Sequence, residues 1–151
     1  MDSGNDIDVG TKRRELVGCP DRIMERSMEP RPVKQVIVMR TDLNMRKGKM
    51  VAQGAHASMM FIRHRASSIV MLDDVEIEWL AGDHAKVCVG VESEEELNNI
   101  LVKAWESGLQ AYMVRDNGKT EFHGEKTRTC LAIGPDYSDL IDQVTGHLKL
   151  L

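Results

Sequence analysis

The basic group Arg46-Lys47-Gly48-Lys49 sits where an apolar segment, Val33 to Arg40, gives way to a long helical pattern that runs to about Ser67. A strand that passes through a basic glycine turn into a helix makes a natural anion site. The first helical N–H groups have no internal partners, and the helix dipole favours negative charge there. At about 100° per residue, Lys49, Gln53 and His56 fall within about 60° of one another on that helix. An ammonium, an amide and an imidazole on one stripe suit recognition of phosphate or carboxylate. The same projection groups Val51, Ala55, Met59 and Ile62 on a different side, which reads as the core face. Neither a Walker loop nor a G-x-G-x-x-G string is present, so the stripe does not name a nucleotide site. A polar stripe is also what an ordinary solvated helix face looks like.

The elements that must position this stripe are legible along the chain. Lys34 to Met39 is nearly all apolar, as expected of a central strand covered on both faces. The helix from about Gly48 to Ser67 follows. Asp73-Asp-Val-Glu76 matches a capping box and opens a short helix that closes at Gly82. Lys86 to Val91 reads as a second strand. Ser93-Glu-Glu-Glu96 is another capping box, and Leu97, Ile100, Leu101 and Ala104 then mark one helical face up to Gly108. Gln110 to Arg115 is a third strand. Asp116-Asn-Gly-Lys-Thr120 is a turn cluster whose Asn-Gly pair signals a hairpin. Arg128 to Ile133 is a fourth strand, ended by Gly134-Pro135. Ser138 or Asp139 caps a last helix through Val144, which Gly146 stops before a short apolar tail, His147 to Leu151. The order β-α-α-β-α-β-β-α predicts a single α/β domain. Its sheet is mostly parallel with helices on both faces, and the third and fourth strands are the antiparallel exception.

Composition narrows the function classes. A chain of 151 residues with 42% hydrophobic and 29% charged residues has room for one real core. No apolar run approaches the ~20 residues of a membrane helix. The acidic, polar start Met1 to Asp8 does not read as a signal peptide, so the cytoplasm is the expected compartment. Residues 1–31 are poor in apolar side chains and end in Pro30-Arg-Pro32, the pattern of a flexible extension. A short helical turn around Ile23 to Arg26 is the one element expected within it. Cys19, Cys88 and Cys130 show no C-x-x-C spacing; Cys88 and Cys130 read as small core residues in strands. No metal is expected. The net charge of −4 argues against wholesale nonspecific nucleic-acid binding. Charge is unevenly placed, however. Leu43 to Leu72 carries no acid but holds Arg46, Lys47, Lys49, Arg63 and Arg65, and a smaller basic group comprises Arg115, Lys119, Lys126 and Arg128. An acidic protein with one basic face is compatible with a phosphate-bearing partner.

Longer strings add a resemblance. Arg40-Thr-Asp-Leu-Asn-Met-Arg-Lys-Gly-Lys-Met-Val-Ala-Gln-Gly-Ala-His-Ala57 strongly resembles the start of type-two peptidyl-tRNA hydrolases. Val114-Arg-Asp-Asn-Gly-Lys-Thr120, Cys130-Leu-Ala-Ile-Gly-Pro135 and Leu140 to Leu151 resemble later motifs of the same family, in the same order. Together they span about residues 33 to 151 and leave residues 1–31 outside. The resemblance implies a domain over 32–151 with a four-stranded mixed sheet, order 2-1-4-3, and helices on both sides. It implies hydrolysis of the ester that joins a peptide to the terminal ribose of tRNA, with no cofactor. Its partner is then tRNA, and family members often form homodimers.

Carried over residue by residue, the resemblance assigns Lys49, Asp116, Thr120, Thr129 and His56 to the catalytic group and Gln53 to the helix face beside Lys49. Ester hydrolysis needs an activated water and stabilisation of a developing oxyanion. Lys49 fits a phosphate or that oxyanion, Asp116 fits orientation of Lys49 or a water, and the threonines fit hydrogen bonds to water or carbonyl. A solvated Asp is a weak general base near neutral pH, which leaves the base unassigned. Substrate contacts are expected from Gln53 and from the cations Arg46, Lys47, Arg63, Arg65, Arg115 and Lys119, the cations meeting phosphates. Two departures from the family pattern stand out. The stretch Glu121 to Arg128 lacks the usual Pro-Gly and is one residue longer, so Thr127 competes with Thr129 for the last threonine position. Arg46 stands where a small residue is usual. The alternative function is a non-catalytic tRNA-binding or protein-interaction module on the same fold.

Overall fold

The structure, a computed structural model, describes residues 30–68 and 70–151. The expected turn at Ile23–Arg26, Cys19 and all of the N-terminal extension before Pro30 lie outside the described residues. Residues Arg31–Leu151 form one compact unit. Its elements are β1 (Val33–Arg40), α1 (Lys47–Ser68), α2 (Asp74–Ala81), β2 (Lys86–Val91), α3 (Glu94–Glu106), β3 (Ala111–Asp116), β4 (Thr127–Tyr137), α4 (Ser138–Thr145) and β5 (Lys149–Leu150). One 3-10 turn, Phe122–Gly124, interrupts the β3–β4 connection.

The sheet order is β3-β4-β1-β2-β5. The four strands expected from the sequence stand in the expected relative order, and β5 is a fifth that the expectation lacked. β2 would otherwise be an edge with unpaired N–H and C=O groups. The chain after Gly146 folds back along it, pairing Val89 with Leu150 and Gly90 with Lys149. The sheet is also less parallel than alternation of helices and strands predicts. Among the described residues only β1–β2 is a parallel pair; β1–β4, β3–β4 and β2–β5 are antiparallel. The hairpin is the cause. It inserts β4 between β3 and β1, so one reversal of direction creates two antiparallel ladders.

Two further boundaries move. β4 continues through the cis Gly134–Pro135 bond to Tyr137 and does not end there. A register shift between Lys34 and Val36 accommodates it. The Gly134 N–H donates to the Gln110 carbonyl, and the Gln35 amide donates to the Gly134 carbonyl. α4 has no side-chain cap. The Ser138 N–H is taken by the Pro32 carbonyl, and Asp139 instead pairs with Arg31. The capping box at Asp73 and Glu76 forms as read. At Ser93 only half of it forms: Ser93 Oγ accepts from the Glu96 N–H, while the Glu96 carboxylate turns to the Glu92 N–H.

The central strand β1 is buried on both faces. Val36 and Val38 face a core shared with Leu97, Ile100 and Ala104 of α3 and Ile141 and Val144 of α4. Ile37 and Met39 face the opposite core, with Ala57, Val114, Cys130 and Ala132. α1 lies on that second side, but not in the rotation expected. Val51 is 73% exposed and Met59 55%, while Gln53, Ala57, Ser58 and Phe61 are buried. Small or apolar residues occur nearly all round α1, so periodicity alone does not choose a face. Hydrogen bonds choose it. Ser58 Oγ donates to Gln35 Oε1, and Gln53 bonds Thr129 and Asp116. Cys88 likewise departs from expectation: it is exposed, whereas Cys130 is buried. α1 covers the β4 side of the sheet, and the β2 side of that face stays open. Among the described residues no helix is long and apolar enough to cross a membrane.

Candidate active site

Lys49 occupies the first turn of α1, and the loop before it is held in place by one arginine. Arg40, buried at the end of β1, sets its Nε and Nη2 on the two carboxylate oxygens of Asp42 at 3.0 and 2.6 Å. Its Nη1 reaches Glu94 and the Arg128 carbonyl. Those charge-assisted bonds keep the Asp42 carboxyl below the usual carboxylate range. Asn44, with φ of 50°, turns the chain, and the Arg46 carbonyl accepts the first helical bond, from Met50. Lys49 therefore leaves a pinned loop in a fixed direction.

The β3–β4 hairpin supplies the other half. Asp116 ends β3, and its Oδ2 accepts the Gly118 N–H at 2.8 Å, a local turn that fixes the carboxylate. Only glycine fits at 118: φ is +75°, and a Cβ there would lie 2.5 Å from the Glu125 carbonyl. The loop beyond closes on itself through the Gly124 N–H and the Gly118 carbonyl. The Asn-Gly pair thus builds one corner of a longer loop, and not the two-residue hairpin that such a pair usually signals.

The two halves meet at one cluster. Lys49 Nζ donates to Asp116 Oδ1 at 2.6 Å and to Thr120 Oγ1 at 3.0 Å. Gln53 Nε2 donates to the same Asp116 oxygen at 3.2 Å. Behind it, the Thr129 hydroxyl donates to Gln53 Oε1. Thr129 is fully buried, so it supports the cluster from the core side. A bulge places it there: Val114 pairs with Cys130 and Arg115 with Arg128, which leaves Thr129 as the extra residue of β4. Thr127 pairs with Asp116 in the ladder, and its hydroxyl bonds the Glu125 carbonyl. Of the two threonines, Thr129 is the one joined to the site.

Electrostatics follow from these contacts. Burial pushes the Asp116 carboxyl up, but the Lys49 hydrogen bond, the Gly118 N–H, the Lys49 charge and the Gln53 amide together hold it below the usual carboxylate range. Asp116 is an anion that accepts three hydrogen bonds, two on Oδ1 and one on Oδ2. The side chains of Lys49 and Asp116 are only 12% and 13% exposed, and the Phe122 ring lies 5.8 Å from Lys49 Nζ. Burial drives the Cys130 thiol up to about 12, which rules it out as a thiolate nucleophile.

The remaining candidates divide. His56, Arg63, Arg115 and Lys119 line a cleft that opens onto Lys49, Asp116 and Thr120. Arg46 is exposed, but its guanidinium pairs with Glu121 at 2.8 Å. Lys47 is exposed in the first turn of α1 and lines neither cleft beside the cluster. Arg65 is not brought to the site. It bonds the buried Glu76 through Nε and Nη2, with Asp73 behind, and so fastens α1 to α2. Sequence reasoning did not single out Met60, Met113, Glu121, Phe122 and His123, all of which line the clefts beside the cluster. The unusual 121–128 stretch was the available signal for the last three.

Comparison with known proteins gives the family. Residues 33–151 match the family described as peptidyl-tRNA hydrolase PTH2. The chain is 45% identical over 120 residues to a peptidyl-tRNA hydrolase of Methanocaldococcus jannaschii, covering 79% of this chain and 100% of that protein. It is 42% identical over 119 residues to one from Methanothermobacter thermautotrophicus, with 79% and 100% covered. With one from Methanopyrus kandleri the identity is 44% over 119 residues, with 78% and 97% covered. The matched segment holds both the strand–helix junction of Lys49 and the hairpin of Asp116, and the chain belongs to the peptidyl-tRNA hydrolase PTH2 family.

Proposed function

We propose that this chain hydrolyses the ester between peptide and tRNA in peptidyl-tRNA, with Lys49, Asp116 and Thr120 as the reacting cluster. Water adds to the ester carbonyl, the bond to the ribose oxygen breaks, and the peptide leaves as a carboxylate while the tRNA hydroxyl is restored. Lys49 gives one N–H to Asp116 and one to Thr120, which leaves a third for the oxyanion that develops on the carbonyl. Asp116 aims that ammonium. Thr120 Oγ1 turns one lone pair to Lys49 and offers the other to the attacking water. Asp116 is too acidic to be a strong base, so oxyanion stabilisation carries most of the rate. Thr129 and Gln53 act as positioning residues behind Asp116. His56 stands at the cleft wall, within reach of a bound substrate.

The observation that supports this reading most is the convergence of Lys49, Asp116 and Thr120, from two separate parts of the chain, within hydrogen-bond distance. The test is release of peptide from an N-blocked aminoacyl-tRNA. Lys49→Ala and Asp116→Ala each lower kcat by about 100-fold or more while folding is kept. Turnover that survives in both variants sinks the cluster as the reacting group.

The substrate is a product of translation, so the reaction belongs in the cytoplasm, and tRNA is the partner. The homodimer implied by the family resemblance fits the open apolar surface of α1 and β2. There Val51 and Met59 border a groove of about 660 Å³ that Met39, Cys88 and Leu151 also line. Two copies meeting through this surface cover the same apolar patch on each.

A further inference from the structure

The reacting cluster lies where two clefts meet, and the clefts differ in chemistry. The first, about 450 Å³, runs between α1 and β3 past His56, Met60, Arg63, Met113 and Arg115. The second, about 590 Å³, is lined by Arg46 and residues 118–124. Lys119 and Thr120 border both. An ester bound at Thr120 has one arm for each cleft: a nucleotide arm that carries a negative charge per phosphate, and an acyl arm whose backbone is neutral.

We propose that the 3′-terminal nucleotides of the substrate lie in the α1–β3 cleft and the peptide lies in the loop cleft. The assignment rests on the reading of this chain as a peptidyl-tRNA ester hydrolase. Charge separates the two arms. Arg63 and Arg115 line only the first cleft and have no carboxylate partner among the described residues, whereas Lys119 borders both clefts and does not separate them; the acid of the first cleft, Asp116, is engaged by Lys49. Lys49 and Arg63 lie about 21 Å apart along α1, a length that spans several nucleotides. Met60 and Met113 also line this cleft, and thioethers make favourable contacts with aromatic rings such as those of bases. In the loop cleft the one guanidinium, Arg46, is neutralised by Glu121, and that carboxylate disfavours a phosphate. Apart from Lys119 and Thr120, which the two clefts share, its remaining walls are Phe122, His123, Gly118 and Gly124, which suit an apolar side chain and peptide hydrogen bonds. Phe122 and His123 both hold left-handed backbone, φ 66° and 50°, fixed by the bond from the Glu125 N–H to the Phe122 carbonyl. Two adjacent residues in that region mark a conformation the surrounding loop must enforce. Arg46 therefore serves the acyl side and not the phosphates.

The trinucleotide CCA, which reproduces the end of tRNA, and an N-acetylated tripeptide amide serve as probes in NMR titrations of the full chain. CCA shifts the amides of 56–63 and 113–115, and the peptide shifts those of 118–124. Arg63→Gln with Arg115→Gln weakens CCA binding about tenfold or more, the loss expected of charged hydrogen bonds. Phe122→Ala leaves CCA binding within about twofold but changes the ratio of kcat/KM between substrates with short and long peptides. CCA signals that map to 118–124, CCA that binds neither cleft, or a Phe122→Ala protein that loses CCA as strongly as the double arginine variant each overturn the assignment. Wild type without turnover that still takes CCA between α1 and β3 refutes the hydrolase reading and leaves the nucleotide cleft standing.

Discussion

Lys49 Nζ and Asp116 Oδ1 are 2.6 Å apart although 67 positions separate the two residues in the chain. Both side chains are largely withdrawn from water, so the pair is screened less than a surface salt bridge. Each is held from behind, Asp116 by Gly118 and Gln53 and Lys49 by the first turn of α1. The pair is prearranged before any substrate arrives, and such preorganisation is what gives an ammonium its value beside a developing oxyanion.

Acid should dismantle this arrangement in a defined window. The folded-state pKa of Asp116 lies below its ordinary value, so its stabilising contribution is fully present above that value, near pH 4, and is lost as pH falls through the folded pKa. The stability difference between wild type and Asp116→Asn, measured by denaturant unfolding, is therefore constant from neutral pH down to about 5 and shrinks below about 4. A difference that stays constant to pH 2 would show that Asp116 is not held by charge.

Thr129 touches no open surface, yet its loss should reach the chemistry. Thr129→Val keeps the shape but leaves Gln53 Oε1 buried without a donor, at a cost of about 1–3 kcal/mol. Once its hold on Asp116 slackens, kcat falls while KM stays nearly constant. Thr129→Ser restores the hydroxyl and most of kcat. Unfolding curves and steady-state kinetics of the two variants read this directly; equal kcat in both would reduce Thr129 to a packing residue.

Arg65 sits in the basic segment but serves the fold. Arg65→Met strands the nearly fully buried Glu76 carboxylate and should destabilise by about 3–5 kcal/mol. Affinity for tRNA, measured on the folded fraction, should not move. A variant that binds tRNA poorly and unfolds normally would reverse this assignment.

The open apolar face of α1 is testable by charge. Val51→Glu and Met59→Glu together keep the monomer folded, because both side chains are exposed. Sedimentation should find dimers for wild type and monomers for the double variant. Monomers in both would leave that face without the partner assigned to it.

By itself the sequence determined the elements and most of their ends. Glycines, capping residues and apolar runs act over a few residues, so Lys86–Val91 emerges with the bounds read from it and Asp73 caps α2 as read. The contiguous motifs also fixed the family and pointed to Lys49, Asp116 and Thr120. What only tertiary structure decided depends on distant partners. The face that α1 buries is set by Gln35 and Thr129, on strands elsewhere in the chain, and not by its own periodicity. β5 exists because β2 offers it an unpaired edge. Arg65 and Arg63 are two residues apart and of the same type, yet a buried carboxylate on α2 claims one while the other is left beside the cleft. Local preference cannot register such pairings, since each is settled by a group that folding brings close.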